Sequence, residues 1–255
     1  MTENRQKHNP ECALVTGGAV RIGKQIAIDL AALGHRVGVH YNRSADEAEA
    51  LVEDIIQQGG QALAVQADLE DETALGAMMQ QLADQMGPVT TLINNASVFE
   101  QDDPLTVSKA SWDRHMQVNL RAPFVLSQIL ARHRPSCKTA NIINIIDQRV
   151  WNLPVTFTSY TLSKYAFWGM TQTLARAFAP DIRVNAIGPG PTLPSIHQTE
   201  EEFKRQWACQ PLSRPVTPED ISRAARFILD SPAMTGQMIA MDAGQHMGVD
   251  LKETT

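Results

Sequence analysis

The sequence predicts a single α/β domain built on a doubly wound parallel sheet, and three observations carry that expectation. Short apolar runs alternate with longer stretches of helical periodicity from residue 12 to residue 242, the pattern of strands joined by crossover helices. The runs are apolar almost throughout rather than at every second position, as in strands covered on both faces. The length of 255 residues suits one such sheet, since folds of this kind run past ~200 residues on a single core.

The elements follow in order. A polar stretch at 1–10 reads as a flexible tail ahead of a domain covering 11–255. CALVTG at 12–17 opens the series and precedes a helix over 21–34, and RVGVHY at 36–41 precedes a helix over 44–58. ALAVQADL at 62–69 leads to a helix over 71–86, and TTLINNAS at 90–97 leads to one long helix over 110–133. NIINIID at 141–147, a helix over 158–178 and DIRVNAIGPG at 181–190 continue the alternation, which a helix over 218–230 and the short strand QMIAMD close. The proline-containing stretch 189–215 is too long for a plain connection. It reads as a substrate lid in which Glu200 to Trp207 form a short helix over the ligand.

Composition narrows the function classes. With 43% hydrophobic and 20% charged residues, the chain can bury a sizeable core. A formal charge of −6 argues against the broad basic surface that nucleic acid or an anionic membrane requires, so neither is an expected partner. Three scattered cysteines form no CxxC pair and the histidines form no ligand motif, so no metal site is expected. The opening residues lack a secretory apolar core, and no apolar run reaches membrane-spanning length. A cytoplasmic location is expected.

The segment TGGAVRIGK at 16–24 follows the first strand and opens the first helix, where free N–H groups and the helix dipole can hold a pyrophosphate. Gly17, Gly18 and Gly23 permit close approach there, with Arg21 and Ile22 beside them. In sites selective for NAD, an acidic residue ends the second strand and takes the ribose hydroxyls. Here that place reads HYNRS, so His40, Asn42, Arg43 and Ser44 are the candidate contacts. No carboxylate is among them, while the guanidinium of Arg43 and the hydroxyl of Ser44 suit an additional 2′-phosphate. The expected cofactor is NADPH.

SYTLSKY puts Tyr160 and Lys164 one helical turn apart, so the ammonium can lie beside the phenol and draw its pKa down toward working pH, making a proton donor. In their order, TGGAVRIG, Asp68, NNAS, Asn119, Tyr160 with Lys164, and GPGPT resemble the short-chain dehydrogenase/reductase family over nearly the whole chain. The resemblance implies a Rossmann-like domain of seven parallel strands, assembled as a homotetramer. It also implies that Asp68 and Leu69 lie near the adenine and that Asn94, Asn95 and Ala96 run along the cofactor. Asn119 would join a proton-relay water chain, Lys164 would hold the nicotinamide ribose, and Pro189, Gly190 and Thr192 would border the nicotinamide. The apolar helix around Tyr160 to Phe178, with Phe167 and Trp168, is expected at a subunit interface.

Two departures from the common family pattern concern the reacting centre. Arg21 stands where the loop usually has a glycine, and Asp147 stands where a serine usually precedes the tyrosine by thirteen positions. Together with HYNRS and NNASVF they resemble the pteridine reductase branch, whose members reduce dihydropterins such as dihydromonapterin, or dihydrofolate. That resemblance implies that Phe99 stacks the pterin ring, that Ser97 contacts the heterocycle, and that Arg21, Asp147 and Tyr160 also meet the substrate. The chemistry agrees: reducing a C=N bond leaves a basic nitrogen that needs a proton, and a carboxylic acid of raised pKa can deliver one. The competing expectations are a carbonyl reductase of the 3-oxoacyl type and a non-catalytic NADPH-binding sensor. Losing a charge-assisted contact costs about 1.5–3 kcal/mol, so Arg43→Ala is expected to weaken NADPH binding about tenfold to a hundredfold and to leave NADH little affected. Fluorescence titration with both cofactors checks this, and an unchanged NADPH affinity would remove the basis for the cofactor choice.

Overall fold

The computed structural model describes residues 11–195 and 198–248, so the tail expected at 1–10 lies outside the described residues. Seven strands form one sheet: β1 (Cys12–Val15), β2 (Arg36–Tyr41), β3 (Gln61–Gln66), β4 (Val89–Asn94), β5 (Ala140–Ile145), β6 (Ile182–Pro189) and β7 (Met238–Met241). Their order is β3-β2-β1-β4-β5-β6-β7, with every neighbouring pair parallel. The helices are α1 (Arg21–Ala32), α2 (Ala45–Gln57), α3 (Glu72–Met86), α4 (Lys109–Met116), α5 (Ala122–His133), α6 (Thr158–Ala177), α7 (Glu200–Ala208) and α8 (Pro218–Leu229).

The near-continuous apolar strands are explained by two cores, one on each face. Because successive side chains point to opposite faces, Leu14, Leu92, Ile142 and Val184 meet Leu82 of α3, Leu126 and Leu130 of α5 and Leu174 of α6. Their neighbours Val15, Ile93, Ile143 and Ile187 meet Ile26 of α1, Leu51 of α2 and Ile228 of α8. Each such side chain stabilises the fold by about 1.5–3 kcal/mol when fully buried. Helix starts follow sequence signals: Asp71 accepts from the N–H of Thr73 at the start of α3, and Thr217 with Asp220 forms a capping box ahead of α8.

One expectation is refined and one corrected. The long helix read over 110–133 runs unbroken over 109–133 and contains a π turn, Gln117–Arg121, between α4 and α5. Its wider turn carries Asn119, whose amide is engaged by the loop after β4, and periodicity alone does not register one inserted residue. Phe167, expected at a subunit surface, is instead 1% exposed and packs with Ile146, Val150, Ala186 and Met238, leaving Trp168 partly buried against that cluster.

A buried polar chain couples α6 to the sheet: Asn94 Nδ2 donates to Asn144 Oδ1 (2.9 Å), and Asn144 Nδ2 donates to Thr171 Oγ1 (2.9 Å). Thr171→Val keeps the shape and removes the acceptor. An unpaired buried amide costs about 1–3 kcal/mol, so the unfolding free energy is expected to fall by that amount and the urea midpoint with it, at an unchanged m-value; an unaltered midpoint would show the polar chain to be dispensable.

Candidate active site

The phosphate loop is held by polar contacts between the ends of β1 and β4. Thr16 Oγ1 accepts from the N–H groups of Asn95 (2.9 Å) and Ala96 (3.0 Å), and Asn95 Nδ2 donates to the carbonyls of Thr16 (2.9 Å) and Gly17 (3.1 Å). Gly17 adopts φ +59°, and a Cβ on Gly23 would lie 2.2 Å from the Gly17 carbonyl, so only glycine fits where α1 meets the loop. Arg21 holds φ +56°, the left-handed conformation that a glycine takes freely and that costs another residue about 1–2 kcal/mol. Its guanidinium donates to the carbonyls of Pro194 (3.0 Å) and Leu193 (3.3 Å), tying the loop to the lid.

His40 and Asn94 differ from expectation. The His40 ring is buried, accepts from the Gly17 N–H at Nδ1 (3.0 Å) and donates from Nε2 to the Ala67 carbonyl (3.1 Å), and burial lowers its pKa to about 4. Both ring nitrogens are spent, so the ring props the loop, and His40 also lines the hollow beside Gly17. Asn94, 1% exposed, belongs to the buried chain into α6. Asn42, Arg43 and Ser44 line a hollow of about 220 Å³ beside Gly17, and no carboxylate of the described residues pairs with Arg43. Arg114 of α4 reaches the same hollow, held by Glu100 (2.5 Å) and Glu70 (3.4 Å). Asp68 accepts from the Glu70 N–H (3.0 Å), while the Leu69 side chain turns into the core. The open glycine cradle, the unpaired cation at the end of β2 and the missing acidic residue there fit a phosphorylated dinucleotide.

A cleft of about 470 Å³ runs on from the loop. Ile22, Asn95, Ala96, Ser97 and Phe99 border it on one side, and Asp147, Arg149, Tyr160 and Lys164 on the other. Pro189, Gly190 and Thr192 floor it, with Phe203 and Gln206 of α7 above. That helix forms over Glu200–Ala208 with a Thr199–Glu202 capping box, where a short helix was expected over 200–207.

The reacting groups form one unit. Tyr160 Oη donates to Asp147 Oδ2 (3.0 Å), Arg149 Nε donates to that same oxygen (3.0 Å), and the Arg149 N–H donates to Asp147 Oδ1 (2.9 Å). Lys164 Nζ donates to the Ile145 carbonyl (2.9 Å) and lies 5.7 Å from the Tyr160 ring centroid. The expectation that Lys164 draws the phenol pKa down is therefore corrected. Burial, then the Asp147 charge, push the phenol well above its ordinary value, and the opposing cation is Arg149. Burial also brings Lys164 down to about 8. Asp147 thus takes part in three hydrogen bonds, one from the Tyr160 hydroxyl and two from Arg149.

Asn119 is fully buried and braces this unit. Its Oδ1 accepts from the Val98 N–H (2.8 Å) and Ser97 Oγ (3.2 Å), and its Nδ2 donates to the Val98 carbonyl (3.0 Å) and Ser163 Oγ (3.1 Å). Phe99 stacks on Phe157 (4.3 Å, 8°) and meets Tyr160 edge-on (4.7 Å), so one of its faces is already covered. Phe157 sits at φ +58°, and Asp102 caps α6 by accepting from the Ser159 N–H (3.1 Å). Arg149, Phe157, Asp102 and Arg114 escaped the sequence reading; only Arg149 left a trace, as a cation two positions after Asp147. Among the described residues no cluster could hold a metal ion, and no helix is long and apolar enough to cross a membrane.

Comparison with known proteins agrees with this geometry. The structure of FolM alternative dihydrofolate reductase 1 from Brucella canis, complexed with NADP, superposes with a TM-score of 0.92 at 46% identity, over 96% of this chain and 97% of that one. A blue fluorescent protein from a metagenomic library, in complex with NADPH, gives 0.87 at 32% identity, over 94% and 99% of the two chains. The Staphylococcus aureus 3-oxoacyl-(acyl-carrier-protein) reductase FabG is 31% identical over 92% of this chain and 98% of its own. The sequence profile of the short chain dehydrogenases matches residues 11–205, which span the phosphate loop, the Tyr160 unit and most of the lid, and the chain belongs to that family.

Proposed function

We propose that the chain is an NADPH-dependent reductase that converts a dihydropterin or dihydrofolate to the tetrahydro form. The observation that carries this reading is the Asp147 carboxylate, 3.0 Å from the Tyr160 hydroxyl inside the cleft, where a ketone reductase of this family uses a serine. The 46% identity to a FolM alternative dihydrofolate reductase supports it.

In this reading Arg43 and Ser44 hold the 2′-phosphate, and Asp68, Leu69 and Ala96 border the adenosine half. The N–H groups of the loop from Gly17 to Gly23 face the pyrophosphate, and Lys164 takes the nicotinamide ribose. Bound NADPH supplies the hydride. The substrate lies against the free face of Phe99, with Arg21 and Ser97 as further contacts, and takes hydride at C6 and a proton at N5. Tyr160 is the proton store and Asp147 its hydrogen-bond partner. Asp147 orients the phenol and favours positive charge on a C=N group as it is protonated. The nearby Arg149 guanidinium offsets the tyrosinate left behind. The homotetramer belongs to the same reading: exposed Leu162 and Tyr165 flank a groove lined by Met116, Leu120, Phe124 and Met170.

The FabG similarity favours a second reading, reduction of a 3-oxoacyl carbonyl, for which Tyr160 and Lys164 would suffice. Purified protein is to be mixed with NADPH and, separately, dihydrobiopterin, dihydrofolate and a 3-oxoacyl thioester, following cofactor absorbance. Oxidation with the dihydropterins is expected; oxidation with the thioester alone selects the second reading, and NADPH binding without turnover selects a sensor. Asp147→Ser is expected to lower kcat/KM for the dihydropterin by about 10²-fold, the lower range for a lost acid–base group, with NADPH affinity retained. Unchanged dihydropterin turnover in that variant would refute the role given to Asp147.

A further inference from the structure

Arg149 stands in an environment that surface arginines do not share. Its side chain is 18% exposed, its Nε and its own N–H are spent on the two oxygens of Asp147, and Nη1 is buried without a hydrogen-bond partner. The guanidinium carbon lies 4.9 Å from the Tyr160 ring centroid, 5.5 Å from that of Phe99 and 5.6 Å from that of Phe157. Three aromatic rings and one carboxylate thus lie around one cation, a setting in which contacts with aromatic rings replace some ordinary acceptors.

We propose that Arg149 is a positioning residue of the reaction: it fixes Asp147 so that one carboxylate oxygen faces the Tyr160 hydroxyl, and it supplies the positive charge that tyrosinate needs. Asp147 follows β5 on a short turn, and without a second anchor its carboxylate could rotate away from the phenol. Arg149 supplies that anchor through a ring of two hydrogen bonds, and the aromatic cage keeps the guanidinium from leaving for solvent. Lys164, spent on the Ile145 carbonyl, is farther from the Tyr160 ring than Arg149 is.

Other charged groups around the phenol have partners of their own. On the β4–α4 side these are Asp102 with Ser159, His115 of α4 with Ser159 and the Ser111 carbonyl, and Glu100 with Arg114. On the lid side Arg21 binds the Leu193 and Pro194 carbonyls, and at the C-terminal end His246 pairs with Asp242 beside Trp151. The proposal deepens the reductase reading but does not depend on which substrate is reduced, because the tyrosinate of Tyr160 needs a nearby positive charge whichever substrate takes its proton.

The test is an ultraviolet difference titration of the NADP⁺-bound protein, in which subtracting Tyr160→Phe isolates the tyrosinate signal of Tyr160. Removing a cation must raise the phenol pKa, so Arg149→Met is expected to move that transition upward by about one pH unit, while Arg149→Lys moves it less. In turnover, which requires the protonated phenol, the alkaline limb of kcat moves the same way, with kcat reduced about tenfold and NADPH affinity retained; Arg149→Gln serves if the Met variant does not fold. A tyrosinate transition coincident with wild type in the neutral variant, or equal losses in the Lys and Met variants, would overturn the proposal. Failure of the dihydropterin reading shows separately, as absence of turnover with that substrate in the wild-type protein while the titration still reports on Arg149.

Discussion

Everything in the site depends on where the strand order reverses. From β1 the chain steps outward through β2 to β3, and β4 then starts on the other side of β1 and leads away through β5 and β6 to β7. The crossovers after β1 and β4 leave in opposite directions, and a crevice opens at their carboxyl ends. Because all strands are parallel, residues at or just beyond the carboxyl end of the strands arrive at that one edge: Thr16, His40, Asn95, Asp147 and Pro189. Thr16 and Asn95 bind each other across the reversal, so the crevice is a set of fixed polar contacts and not a gap that could close.

Placing charge in such a crevice is costly unless each group has a partner. The structure meets this with short, specific pairings: Lys164 with a β5 carbonyl, Asp147 with Arg149, Tyr160 with Asp147, and His40 kept neutral between Gly17 and Ala67. Asn119 adds a brace from the π turn, joining the Ser97 loop to the helix that carries Tyr160. Each polar group thereby has one orientation before any ligand arrives, which is the condition under which oriented dipoles and charges act without reorganisation. The same economy makes the groups interdependent, since removing one strands its partner.

The strands and most helices were legible because burial on both faces leaves an unmistakable apolar run, alternating with longer stretches of helical periodicity. The loop glycines, Arg43, Tyr160 and Lys164 were legible because their residue types fall in order at the right places along the βα alternation, and Asp147 because it departs from the family pattern. What stayed hidden depends on three-dimensional neighbours. His40 reads as a ligand contact in HYNRS, and only its two buried partners reveal a prop. Phe157 and Asp102 act on Phe99 and Ser159 across the fold, without any sequence spacing to betray them. The Lys164 effect on the phenol was misjudged because helical spacing fixes where two side chains start, whereas the carbonyl of Ile145 decides where the ammonium ends.

One scaffold resembles both a 3-oxoacyl reductase and an alternative dihydrofolate reductase, so the fold cannot choose between them. The sign of the charge that develops in the cleft can. Hydride addition to a carbonyl builds negative charge on oxygen, which a nearby carboxylate opposes; protonation of a C=N group builds positive charge, which the same carboxylate favours. At a separation of ~4 Å and an effective dielectric of ~20, a unit pair is worth about 4 kcal/mol, and the choice of substrate reverses the sign of that energy. Pairing with Arg149 reduces the magnitude at Asp147 but leaves the asymmetry, because Tyr160 and Arg149 share one oxygen of the carboxylate and the charge lies closest to the phenol. A serine at that position would be nearly indifferent between the two reactions. Asp147 is not, and this asymmetry is the physical argument behind the proposed reading of C=N reduction over ketone reduction.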